Sequence, residues 1–112
     1  MDTRLIFESH KTFKPKINWT EANNTESEWT TFDLTREELI QHLYKVITDF
    51  FIADTLHVAI DRNNSFTIDK QNILEKIRAL LNVSDFNIWN EQFTKTMEFN
   101  KIGVYRTGII SN

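Results

Sequence analysis

Residues 86–108 read FNIWNEQFTKTMEFNKIGVYRTG, and their period decides the fold. Phe86 and Ile88 alternate with Asn87 and Trp89, and Phe93, Met97 and Phe99 oppose Thr94, Thr96 and Glu98. Period-two alternation belongs to half-buried strands, because successive side chains point to opposite sides of a pleated ribbon. Asn100 and Lys101 interrupt the pattern and residues 102–106 resume it. The stretch therefore reads as strand, turn and strand, with Phe86, Ile88, Phe93, Met97 and Phe99 in the core.

Upstream, residues 55–61 (TLHVAID) set Leu56, Val58 and Ile60 against His57, Ala59 and Asp61, a further strand closed by a turn at residues 62–65. A helix follows from Asp69, with Ile68 and Ile73 at hydrophobic-staple spacing. Its apolar face is Ile73, Leu74, Ile77, Leu80 and Leu81, and Asn82 ends it. Because this helix separates residues 55–61 from residues 86–90, a parallel pairing is open to those two strands.

An earlier helix starts at Thr35, which with Glu38 has capping-box spacing. Leu39, Leu43, Val46, Ile47, Phe50 and Phe51 give it a helical stripe, widened by Ile40 and Tyr44, so most of it is expected to be buried. Residues 4–8 (RLIFE) read as a short strand. Residues 12–19 (TFKPKINW) read as an edge strand or extended loop, since Pro15 cannot donate to a ladder. Residues 20–27 form a polar loop, and residues 28–32 a strand or packed loop. The sum is α/β (α+β): one domain over residues 1–112, a mostly antiparallel sheet with two main helices packed on it.

Composition agrees with one core. Of 112 residues, 40% are hydrophobic, with nine Phe and three Trp, too aromatic for a disordered chain. There is no cysteine, which removes disulfides, thiolate catalysis and Cys-based zinc sites and fits a reducing compartment. The start, MDTRLIFESH, lacks the apolar region of a secretory signal, and no apolar run approaches a membrane span, so a cytoplasmic location is expected.

Charge is unevenly distributed. Residues 21–61 carry nine acids and two bases, residues 1–20 four bases and two acids, and residues 62–112 seven bases and five acids; the segments come to −7, +2 and +2, summing to −3. Such a field attracts a cationic partner and repels nucleic acid. Carboxylates beside aromatic rings suit a protein-binding patch, here Trp19, Glu21, Glu26, Glu28, Trp29, Asp33 and Glu37, with Trp29 as anchor. In the alternative, Trp29 and Phe32 are core and the acids are merely solvated.

The sequence offers no catalytic motif. His10, His42 and His57 do not share metal-ligand spacing, and each reads as structural. His57 and Asp61 share a strand face but stand about 13 Å apart at the usual rise of about 3.3 Å per residue, too far for a direct acid–base pair. Two glycines, Gly103 and Gly108, cannot build a phosphate-binding loop. Asp33 and Glu37 make a poor carboxylate dyad, because Asp33 precedes the expected helix cap. Lys11, Lys14 and Lys16, interleaved with Phe13 and Ile17, are the densest basic run and read as protection for an edge strand. No catalytic residue, metal, cofactor, nucleic-acid partner or membrane partner is expected.

Within residues 86–108, Ile88-Trp89, Phe93, Phe99 and Ile102-Gly103-Val104 with Arg106 form a pattern that resembles the C-terminal end of some immunity proteins of bacterial contact-dependent growth inhibition systems. The likeness covers about a fifth of the chain. It implies a small cytoplasmic inhibitor that binds a toxin's C-terminal domain, one to one, and protects its own cell. Many such toxins are nucleases, some of them cleaving tRNA, and a nuclease site is basic because it attracts phosphates, which agrees with an acidic inhibitor surface. The other reading is a small ligand-binding domain or enzyme with a cleft near His57, Asp61 and Trp89.

Overall fold

The computed structural model describes residues 2–20 and 28–110. Its elements are α1 (Thr3–Phe13), β1 (Asn18–Trp19), β2 (Thr30–Thr31), α2 (Glu37–Phe50), β3 (Thr55–Ala59), β4 (Phe66–Asp69), α3 (Ile73–Ile77), β5 (Phe86–Asn90), β6 (Lys95–Asn100) and β7 (Val104–Ile109), with 3₁₀ turns at Lys14–Lys16 and Lys70–Asn72. The strands form one sheet in the order β1-β7-β6-β5-β3-β4, with β2 also on β7, and every pairing is antiparallel. The mixed α+β fold with an antiparallel sheet is the one the patterning predicts.

Cross-strand register sorts the side chains into two faces. On one, Phe86, Phe99 and Tyr105 form a row across β5, β6 and β7, and Ile88 and Met97 continue the apolar surface to Val58 of β3. Helices α2 and α3 cover this face with Leu43, Ile47, Ile73 and Ile77, which are buried with it in the main core. On the other face lie the rows His57–Trp89–Thr96–Gly108 and Ala59–Asn87–Glu98–Arg106, and α1 lies over part of it through Ile6. The molecule therefore has three layers: two helices, the sheet, and one helix.

Several sequence expectations are corrected. Residues 4–8 are helical, not a strand: Asp2 caps α1 by accepting the backbone N–H of Leu5 at 2.9 Å, and Ile6, His10 and Phe13 recur at helical spacing. β3 and β5 are antiparallel, because the unexpected strand β4 hydrogen-bonds to the other edge of β3. That pairing also delays α3 to Ile73, so Asp69 ends a strand and makes no side-chain cap. The Thr35–Glu38 capping box does not form, since α2 begins at Glu37 behind an uncapped Arg36.

Helix α2 is only partly buried, with Leu43 and Ile47 its fully covered positions. Its C-terminus lacks basic residues of its own and is capped instead by Lys70 Nζ, which donates to the Phe51 carbonyl at 2.8 Å. α3 ends at Ile77, short of the expected stop at Asn82, which lies in the following turn in the left-handed conformation (φ 65°) that suits asparagine. Phe93 departs from the strand pattern. It sits in the β5–β6 turn at φ 55°, which folds its ring onto the α1 face, opposite Met97 and Phe99. A bulky residue in this region costs on the order of 1 kcal/mol. Stacking between the ring and both Phe13 (5.7 Å) and His57 (5.3 Å) offsets that cost.

Candidate binding cleft

α1 does not cover the whole of its face of the sheet. Over β3 and β5 it seals the surface with Ile6 and His10, both buried. The indole Nε1–H of Trp89, itself fully buried, donates to His10 Nδ1 at 3.0 Å. An indole N–H can only donate, so Nδ1 must be the acceptor and the neutral ring carries its proton on Nε2. Burial pushes the His10 pKa down to about 4, helped by the Lys14 charge and opposed by Glu98. Hydrogen bonding and electrostatics thus agree on a neutral histidine fastening α1 to the sheet.

Beside this seal the row Asn87–Glu98–Arg106 floors an open cleft of about 590 Å³, walled by Phe7, His10 and Lys14 on the α1 side and by Trp29 across from it. Glu98 is buried and its two oxygens are used differently. Oε1 accepts from Arg106 Nε at 2.8 Å and from Nη2 at 2.7 Å, whereas Oε2 faces Lys14 Nζ at 3.3 Å. Asn87, also buried, donates through Nδ2 to Thr96 Oγ1 at 3.1 Å. Thr96 in turn donates to the Ile88 carbonyl, so the floor is hydrogen-bonded through to the backbone.

Arg106 is the hub of the cleft's outer end. Its guanidinium carbon lies 3.6 Å from the ring centre of Trp19 and 4.4 Å from that of Trp29. Nη1 donates to Glu28 Oε2 at 2.7 Å. A planar cation between two indoles and two carboxylates is well matched, because stacking and in-plane hydrogen bonding use different faces of the group. The geometry depends on Gly108, whose register partner is Trp19: a Cβ there would stand 2.8 Å from Trp19 Cε3 and 3.2 Å from the Asn18 carbonyl.

Of the seven residues expected in the binding patch, Trp19, Glu28 and Trp29 converge on Arg106. Asp33 and Glu37 do not join them. Asp33 accepts the backbone N–H of Thr35 at 2.8 Å, and Glu37 accepts from Gln41 and from Arg78, at 3.0 and 2.9 Å. Those bonds hold both carboxyls below their usual pKa. Glu21 and Glu26 lie outside the described residues.

Among the described residues, His57, Asp61 and Trp89, the cleft of the alternative reading, do not frame a cleft together. Trp89 and His57 are buried, with His57 Nδ1 hydrogen-bonded to Thr67 Oγ1 at 2.8 Å. Asp61 is exposed and caps the following turn by accepting the backbone N–H groups of Asn63 and Asn64. His10 belongs to α1, and Lys14 follows in the 3₁₀ turn.

His10, Lys14, Asn87, Glu98 and Arg106 are the residues that sequence reading missed. The last three stand at the polar positions of the alternation, but only register aligns them in one row. His10 was recoverable, because Asp2 marks a helix start and His10 continues the Ile6 stripe. Among the described residues no group of three or more His, Asp or Glu side chains is placed to hold a metal, and no helix is long and apolar enough to cross a membrane. Compared with protein-family models, curated proteins and solved structures, the chain matches none.

Proposed function

We propose that this chain is a non-catalytic inhibitor, an immunity protein that neutralises a basic, nuclease-like toxin domain in a 1:1 complex. The observation that carries this reading is the Trp19–Arg106–Trp29 stack. Both indoles are half-buried, so each keeps a solvent-facing surface while its orientation is fixed from behind. Trp and Arg dominate the energetics of protein interfaces, and anchors held rigid before binding lose little entropy on docking. The acids act at longer range. Asp33, Glu37 and Glu38 are exposed around the start of α2 and add to a net charge of −3, a field that speeds encounter with a basic domain.

The residues behind the resemblance have mainly architectural places. Trp89, Phe93 and Phe99 are buried, Gly103 makes a turn at φ 103°, and Arg106 holds the stack. The test is capture of the product of the neighbouring gene, followed by binding kinetics. Trp29→Ala is expected to speed dissociation and weaken affinity roughly 30-fold, the effect of a hot-spot anchor. Glu38→Lys is expected to slow association and flatten its salt dependence, with dissociation unchanged. Capture of no basic domain, or an affinity indifferent to Trp29, would overturn the reading.

A further inference from the structure

We propose that His10 is an acid latch for α1: once its imidazole is protonated, α1 leaves the sheet while the rest of the fold stays intact. What each buried histidine faces carries this inference, independently of the inhibitor reading. Of the three histidines, His42 is exposed on α2, whereas His10 and His57 are buried on the α1 side of the sheet. The partner of His10 Nδ1 is the indole N–H of Trp89, at 3.0 Å, a group that can only donate. A protonated imidazole donates through both nitrogens, so acid turns this bond into an opposition of two N–H groups. His57 Nδ1 instead faces the Thr67 hydroxyl at 2.8 Å, which accepts as readily as it donates. Protonation therefore spares the bond of His57 and breaks that of His10.

The place of His10 makes the loss local. The buried residues of α1 are Ile6 and His10. Ile6 joins Ala59, Trp89 and Phe93 in a small apolar cluster, separate from the main core under α2 and α3. Every strand pairing of the sheet falls within residues 18–109, so releasing α1 breaks no ladder. The charge of Lys14 opposes protonation of His10, and that of Glu98 on β6 favours it. Lys11, Asp85 and Arg106 line the same cleft, Glu28 is tied to Arg106, and β3 and β4 bring His57 and Asp69 to this face. Because His10 also lines the open cleft, a proton reaches it before α1 moves. Burial holds the docked imidazole neutral down to about pH 4, against an ordinary value of 6.5 once α1 is free. Docking is thus at full strength above pH 6.5 and weakens about tenfold per pH unit as pH falls toward 4. Release uncovers Trp89 and Phe93 and removes Phe7, His10 and Lys14 from the wall of the cleft.

The test is amide hydrogen exchange of the intact chain from about pH 7.5 to about pH 4.5, read as opening equilibria after correction for intrinsic rates. Amides of α1 are expected to open at least about tenfold more readily than those of β6 at every pH. Their opening constant is expected to rise about tenfold per pH unit below 6.5. His10→Asn, whose side-chain oxygen can accept from Trp89 but does not titrate, is expected to abolish that rise. His57→Gln is expected to keep it. A single opening constant shared by α1 and β6, or an α1 opening that ignores pH, overturns the proposal. So does a rise that persists in His10→Asn or disappears in His57→Gln. Should His10→Asn fail to fold, the wild-type comparison of α1 with β6 and the His57→Gln profile decide.

Discussion

The two faces of the sheet are built from the same strands yet obey different rules. Under α2 and α3 the surface is apolar, with Phe86, Ile88, Met97 and Phe99 all essentially inaccessible. Under α1 the same strands present His57, Asn87, Thr96 and Glu98, and with His10 these are the buried polar residues of the described chain apart from Ser65. An apolar face needs only shape and volume. A polar one needs a partner for every donor and acceptor, which Trp89, Thr67, Arg106 and Lys14 provide. The first face is held by packing, while the second is held by polar groups that are each matched to a partner.

The sharpest way to break this contrast is on the apolar side. Phe99 is 1% exposed and stacks on Phe86 and Tyr105, at 4.9 and 5.7 Å, so Phe99→Ala is expected to cost about 3–5 kcal/mol in chemical denaturation. With only about 5–15 kcal/mol available to a domain of this size, that variant is marginal at 37 °C. An unchanged melting curve would mean that the row is not the core.

On the polar side, Arg106→Ala leaves Glu98 facing Lys14 alone and is expected to cost about 2–4 kcal/mol. Replacing both partners with apolar residues, Glu98→Leu with Arg106→Met, should recover much of the loss, because no buried charge is then left unpaired. If the double variant were no better than the single one, the pair would owe its value to packing rather than to charge.

The pH dependence separates the faces further. His10 is neutral in the folded state, its pKa lowered from 6.5 to about 4, so the unfolded chain takes up a proton first as pH falls. Stability is fully present above pH 6.5 and declines between about 6.5 and about 4, by about 3 kcal/mol in all. Burial lowers the His57 pKa as well and adds to the same slope. His10→Phe should be less stable at neutral pH but lose most of the slope between pH 6.5 and 5 in thermal melts. A parallel curve for that variant would assign the slope elsewhere. The smallest effect is on the outer surface of α2: Lys45→Ala removes a 3.0 Å pair to Asp49 between two exposed side chains and is expected to change stability by less than about 0.5 kcal/mol.

How much was legible follows the same division. The turn that parts β5 from β6 was missed and α3 ends at Ile77, short of Asn82; the turn at Asn100 and Lys101 with the strands beside it, the strand at 55–61 and the long helix were readable because each has a local signature. Strand β4 was not. Its four residues, Phe66–Asp69, alternate too briefly to outweigh the helix that follows, and only pairing with β3 defines them. Helix α1 was lost to a short apolar run that suits either period. In the candidate site, Trp19, Glu28 and Trp29 were chosen for their types and do meet, but the residue that gathers them, Arg106, is 78 positions from Glu28. The acids were read as one patch from their closeness in sequence; Asp33 and Glu37 are instead tied to the start of α2 and to Arg78.

By itself, then, the sequence determined the alternation that gives β5, β6 and β7 an apolar side and a polar side, the amphipathic helix that covers the first, and the excess of acid. These are local properties, set by periods of two and 3.6 residues and by composition. Tertiary structure decided which polar side chains stand in one row, which tryptophans enclose Arg106, and that α1 stops short of covering Glu98. Such facts depend on register and on contacts between distant segments, where a shift of one residue would turn every side chain to the other face.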